Sequence, residues 1–225
     1  VPVREFREAI ANVAALRANG IDVDTAIRNS RIVAAINGAM AMPGQPPAST
    51  QAILDAIDAG MLDARIALVL SDNPDAFILE RARQRGIETG VIDCRGFKTK
   101  FPEESQMETA ERLKDAGVDL VCLAGFLRLV KRPLLDVFPN KILNIHPSLL
   151  PAFPGLESWK QALDAGATEA GCTVHFVDEG MDTGPVILQE SVAILPGDTA
   201  ESLHARIQVV EHRLYPAAIS KVSGA

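Results

Sequence analysis

No apolar run in the 225-residue sequence approaches the ~18 residues a membrane-spanning helix needs, so no such helix is expected. The first eight residues, Val1 to Glu8, are charged and lack the apolar core of a secretory signal. There are only three cysteines, Cys94, Cys122 and Cys172, an odd number and widely spaced. Neither a CxxC nor an HExxH pattern is present, so no metal site is announced and none is expected. Free, buried thiols in a reducing cytoplasm fit this usage better than a disulfide framework. Basic residues number 22 against 29 acidic, a net charge of −7, which argues against a broad basic face for nucleic acid. A small anion is still welcome wherever a local pocket is positive. The 16 glycines and 14 prolines follow no fixed period, which excludes a collagen-like chain. What is present, 48% hydrophobic and 23% charged residues, is the composition of a soluble globular protein with a sizeable core.

The apolar spacing alternates between strand and helix. Phe6, Ile10, Val13 and Leu16 recur at helical spacing, so residues 1–30 read as a helical extension ahead of a domain over 31–225. Residues 31–36 read as a short buried strand, followed by a Gly/Met/Pro-rich loop and a helix that Ser49 is placed to cap. Apolar runs at 65–70, 118–124 and 141–145, with a weaker one at 87–92, are separated by helices to Gln84 and over 103–115. Strands without polar alternation, separated by helices, predict a parallel sheet covered on both faces. After residue 150, strands at 171–177 and 185–192 with a short link between them permit an antiparallel pair. A last helix runs from Thr199 to about Tyr215. The fold class predicted is α/β: a Rossmann-like, mostly parallel sheet with a C-terminal antiparallel extension.

The chemistry concentrates in two stretches. Asn144 and His146 stand two apart at the carboxyl end of a predicted buried strand, the edge where ligands bind in open parallel sheets. Pro147, Pro151 and Pro154 then stiffen the loop that follows. An Asn amide donates to a carbonyl oxygen that becomes an oxyanion, and a His moves protons near neutral pH. The second stretch, Asp178 to Pro185, supplies carboxylates in a Gly-flanked loop. A carboxylate beside a His fixes its tautomer. Together the three residue types suit attack on an acyl carbon, with no enzyme nucleophile needed if the substrate brings an amine.

The segments Asn144-Ile-His-Pro-Ser-Leu-Leu-Pro, Gly171-Cys-Thr-Val-His175 and Met181-Asp-Thr-Gly-Pro185 resemble the folate-dependent formyltransferases. Within them the likeness is to members that formylate phosphoribosylglycinamide (GAR). It runs from about Asp55 to Tyr215 and includes Leu120 to Arg128 and His204 to His212. It implies formyl transfer from 10-formyltetrahydrofolate, as co-substrate, to the glycinamide amine, a step of purine biosynthesis. It implies that Asn144 holds the formyl oxygen, that His146 stabilises charge and moves protons, and that Asp182 orients His146. It assigns Leu127, Arg128, Leu129, Val130, Val177, Asp178 and Lys100 (or Lys98) to the folate site, and Glu211 to the ribose hydroxyls. The implied partners are these two small molecules, with no nucleic acid or membrane; oligomeric state is not readable. Two other activities share the residues: a 10-formyltetrahydrofolate hydrolase, and a folate- or nucleotide-binding protein without turnover.

Other residues carry plainer alternatives. His175 is as well read as a satisfied structural histidine as a residue supporting the site. Ser148 lacks a nucleophile elbow and reads as a loop residue. His204 and His212 read as a solvated helix face rather than a metal site. Arg128 is placed either as a strand-end charge or in the pocket. Family members open with a Gly-x-Gly-Ser-Asn turn that cradles a phosphate at a helix N-terminus. Here Gly38, Gly44 and Ser49 are the candidates to rebuild it in a longer loop, where three prolines remove N–H donors.

Overall fold

The computed structural model describes residues 31–38 and 48–223. The predicted extension 1–30 and Gly44 lie outside the described residues. The order of elements is β1 (Arg31–Asn37), α1 (Ala48–Asp58), β2 (Ala64–Ser71), α2 (Phe77–Gln84), β3 (Glu88–Val91), α3 (Glu103–Asp115), β4 (Leu120–Ala124), α4 (Arg132–Leu135), β5 (Ile142–His146), α5 (Ser158–Asp164), β6 (Glu169–Phe176), β7 (Val186–Ala193) and α6 (Ala200–Ser223).

The strands form one sheet in the order β3-β2-β1-β4-β5-β6-β7. β2 and β3, β1 and β4, and β4 and β5 pair in parallel; β5 with β6 and β6 with β7 pair antiparallel. The predicted class is therefore the observed one, including the change of strand direction near the C-terminal end.

Both faces of the sheet are covered, which is why its central strands lack polar alternation. Val33, Ala35, Leu120, Cys122, Leu143 and Ile145 point to one face and pack with apolar residues of α1, α2, α5 and α6. Ala34, Ile36, Val121, Leu123 and Ile142 point to the other and pack with residues of α3 and α4. Among the described residues no helix is long and apolar enough to cross a membrane.

Two element boundaries differ from expectation. Helix α1 begins at Ala48, so Ser49 lies inside its first turn, buried, rather than ahead of it as a cap. Thr50 in that turn donates its hydroxyl to Asn37 Oδ1 at the end of β1. The last helix continues past Pro216 to Ser223 instead of stopping near Tyr215. Ala218 and Ile219 are fully buried beyond the proline, and burying them outweighs the one backbone N–H that Pro216 lacks. Its start is as expected: Thr199 Oγ1 accepts the Ser202 N–H, and Ser202 Oγ accepts the Thr199 N–H.

Candidate active site

The strand order reverses between β1 and β4, and the carboxyl ends of β4 and β5 lie beside that switch point. On β5 the alternation that sends Leu143 and Ile145 to one face leaves Asn144 and His146 together on the other. The antiparallel register sets His175 directly opposite Asn144 and Thr173 opposite His146. The loop between β6 and β7 then brings Asp182 over the pair.

Hydrogen bonds fix the chemistry of this cluster. Nδ1 of His175 lies 2.8 Å from the Phe176 carbonyl oxygen, which only accepts, so Nδ1 carries the proton. Burial lowers the His175 pKa, outweighing the nearby Phe176 carbonyl and Asp182, which act in the opposite direction. In that neutral ring Nε2 is an acceptor, and it takes an N–H from Asn144 Nδ2 at 3.2 Å. His175 thereby decides which way the Asn144 amide faces and leaves its second N–H for another acceptor.

His146 stands between two acceptors. Nε2 donates to the Phe153 carbonyl oxygen at 3.0 Å, and Nδ1 lies 3.4 Å from Asp182 Oδ2. The imidazolium is the form with a donor for each. Asp182 Oδ1 is 3.7 Å from His175 Nε2, so one carboxylate spans both rings. Asp182 and Phe153 both have left-handed backbones, φ 57° and 55°. Such conformations in non-glycine residues cost roughly 1–3 kcal/mol each and persist where surrounding contacts hold them. Asp182 is held by the Gly155 N–H, which donates to its Oδ2 at 2.9 Å.

The proline-rich loop is fastened from below. Ser148 Oγ donates to the Ala152 carbonyl, Thr173 Oγ1 donates to the Ser148 carbonyl, and Gln189 Nε2 donates to the Leu150 carbonyl. Ser148 is thus a loop-holding residue. The Leu150–Pro151 peptide is cis.

The remaining candidates divide. Leu127 and Leu129, in the segment after β4, are about half exposed, while Val130 is buried. The Arg128 side chain turns inward to Asp72, and Lys100 sits over the Phe97 ring at 5.2 Å. Val177 donates its backbone N–H to the Ile142 carbonyl. Asp178 Oδ1 closes its own loop, accepting from the Gly180 N–H and the Thr183 hydroxyl. Lys131 donates to the Glu179 carbonyl and Arg132 pairs with the Glu179 carboxylate, tying this loop to the segment after β4.

On the sheet's other face, Glu211 is buried on α6, and burial pushes its carboxyl up to about 7. Gly38 follows β1 where any side chain would collide with the backbone: an added Cβ would lie 2.0 Å from the Gly125 carbonyl oxygen. His204 stacks on Trp159 at 3.7 Å between ring centroids, which gives it a packing role. Sequence reasoning missed Phe153, whose backbone carbonyl is silent in sequence, and Asp72. The only signal for Asp72 was its place in the polar Ser71-Asp-Asn-Pro74 segment ending β2.

The formyl transferase family model matches residues 39–219. A phosphoribosylglycinamide formyltransferase from Bacillus subtilis (strain 168) is 43% identical over 162 residues, 72% of this chain and 82% of that protein. A trifunctional purine biosynthetic protein adenosine-3 from Drosophila pseudoobscura pseudoobscura is 47% identical over 172 residues, 76% of this chain. The chain spans 12% of that protein and 17% of its human counterpart. The crystal structure of glycinamide ribonucleotide transformylase 1 from Symbiobacterium toebii superposes with a TM-score of 0.78 at 49% identity, covering 86% of this chain and 87% of that one. The family model takes in β4, β5, β6 and the loop bearing Asp182, so the segments that build the cluster are family segments, and this chain belongs to the formyl transferase family.

Proposed function

We propose that the chain transfers the formyl group of 10-formyltetrahydrofolate to the amine of phosphoribosylglycinamide. The observation that carries this reading is the convergence of Asn144, His146 and Asp182, with His175 behind them, at the carboxyl end of β5. The names of the relatives at 41–43% identity point to the same reaction.

The neutral amine of the acceptor attacks the formyl carbon, forming a C–N bond and moving the carbonyl electron pair onto oxygen. The free N–H of Asn144 donates to that oxyanion, and the His146 imidazolium lowers the energy of the charge beside it. Asp182 keeps the imidazolium in place. The attacking nitrogen then gives its proton to the Asp182 carboxylate, the C–N bond to the folate breaks as the carbonyl re-forms, and Asp182, held by His146, passes that proton to the folate nitrogen. Atoms and charge balance without an enzyme-bound intermediate. The exposed Leu127 and Leu129 give the donor an apolar surface, with Val130, Val177, Asp178 and Lys100 completing that side. Gly38 and Ser49, with Gly44 from outside the described residues, are the candidates for the phosphate end of the acceptor site, and Glu211 for its ribose. The three cysteines among the described residues are free and buried, which suits the cytoplasm, the compartment this reading assigns.

Asn144→Ala is expected to lower kcat by about 10²–10³ as one oxyanion donor is lost. Asp182→Asn, which removes the charge holding the imidazolium, lowers it by about 10²–10⁴. Steady-state rates with both substrates, alongside circular dichroism to verify folding, decide the matter. Two folded variants with undiminished turnover would remove the cluster from the mechanism.

A further inference from the structure

A buried ion pair lies outside the Asn144–His146–Asp182 cluster, one layer beneath the donor side. Arg128 follows β4 in a segment whose residues alternate: Phe126, Arg128 and Val130 point inward, and Leu127 and Leu129 point out. An arginine in an inward row of apolar residues needs a partner. It has one in Asp72, at the carboxyl end of β2, with Nε 2.6 Å from Oδ2 and side chains 7% and 4% exposed. The same guanidinium donates from Nη1 to the carbonyls of Phe97 and Lys100, each at 2.7 Å. One side chain thus joins three connections at the sheet's carboxyl edge: those after β2, β3 and β4. The other carboxylate oxygen, Asp72 Oδ1, is buried with no hydrogen-bond partner.

A half-satisfied buried pair is a poor source of stability, since desolvation takes back most of the Coulomb gain. Its geometric consequence is larger. Holding Arg128 inward is what turns Leu127 and Leu129 outward, and holding the Phe97 and Lys100 carbonyls fixes the exposed Phe97 ring and the Lys100 ammonium above it. Without the carboxylate, the guanidinium gains by turning to water. The inward anchor between the outward Leu127 and Leu129 is then lost.

We propose that Asp72 is a positioning residue for the formyl donor: acting through Arg128, it sets the apolar and cationic surface that receives the folate. This rests on the proposed function for the identity of the donor. The occupant expected there has an aromatic, largely apolar body and an anionic tail. The outward leucines and Phe97 meet the first, and Lys100 meets the second.

The test is Asp72→Asn in the full chain, with Asp72→Glu as the charge-preserving control. Steady-state kinetics vary 10-formyltetrahydrofolate and phosphoribosylglycinamide separately, and calorimetry measures 10-formyltetrahydrofolate binding directly. Asp72→Asn is expected to raise the donor KM and Kd by about tenfold, the scale of a displaced binding surface. The acceptor KM and kcat stay within about twofold. Asp72→Glu recovers part of the loss. A folded Asp72→Asn protein with unchanged donor Kd overturns the proposal, as does an equal fall in kcat with both KM values unmoved. A wild-type protein that binds the donor but transfers nothing to the acceptor would defeat the functional reading alone, because the Kd ratio still judges Asp72.

Discussion

Each catalytic candidate in the cluster owes its orientation to a neighbouring group. Asn144 is aimed by His175, and His146 is held by a backbone carbonyl on one side and Asp182 on the other. The sequence left His175 open between a structural and a supporting role; its position opposite Asn144 gives it a distinct test. His175→Ala is expected to lower kcat by about tenfold or more through loss of amide orientation, with little change in either KM. A parallel rise in the acceptor KM would instead assign His175 to substrate binding. The residue types of the cluster were legible because Asn144 and His146 close an apolar run and Asp182 stands in a Gly-flanked loop. Phe153 was not legible, since it contributes a carbonyl that every residue has. Asp72 was hidden for another reason: its importance depends on Arg128, a residue 56 positions later brought beside it by the crossing of β1.

At the scale of elements, strands buried on both faces were the easiest to read. β4 is buried at every position, and its run of apolar residues has no other economical explanation. The edge strand β3 is short and half exposed, so its signal was weak. The C-terminal end of α6 departs from expectation because Pro216 reads as a stop locally, whereas the core that Ala218 and Ile219 join is built by distant segments. This helix is also pinned to the centre of the sheet. The Tyr215 hydroxyl hydrogen is shared between the Leu123 and Leu143 carbonyls, at 2.8 and 3.1 Å, on the adjacent strands β4 and β5. Tyr215→Phe is expected to cost about 1 kcal/mol of stability, the net worth of a buried hydrogen bond. Urea unfolding monitored by circular dichroism measures it. No change in midpoint would show that the ring alone anchors the helix.

For the molecule as a whole, the two faces of the sheet carry different groups. One carries the Asn144–His146–Asp182 cluster and the donor side. The other carries the large core beneath α6, with Glu211 within it. Burial gives Glu211 a folded pKa of about 7 against an ordinary 4.5. Between those values the folded protein keeps a proton that the unfolded chain has lost, so stability from this group falls as pH rises through that window. His175, His204 and His212, all lowered by burial, act oppositely: their contribution is lost as pH falls below 6.5. The difference between wild type and Glu211→Gln isolates the carboxyl. The variant is expected to gain stability relative to wild type as pH rises from 4.5 to about 7, and denaturation midpoints across that range check it. A constant difference would mean that the carboxyl is ionised with a partner.

If the site moves a formyl group between two bound small molecules, loss of the group from the donor depends on the acceptor. The most direct test follows the loss of the formyl group from 10-formyltetrahydrofolate spectroscopically, with and without phosphoribosylglycinamide. Turnover is expected only when the acceptor is present, with one formylated acceptor formed per folate released. Release at the same rate without the acceptor would contradict this and make water the acceptor.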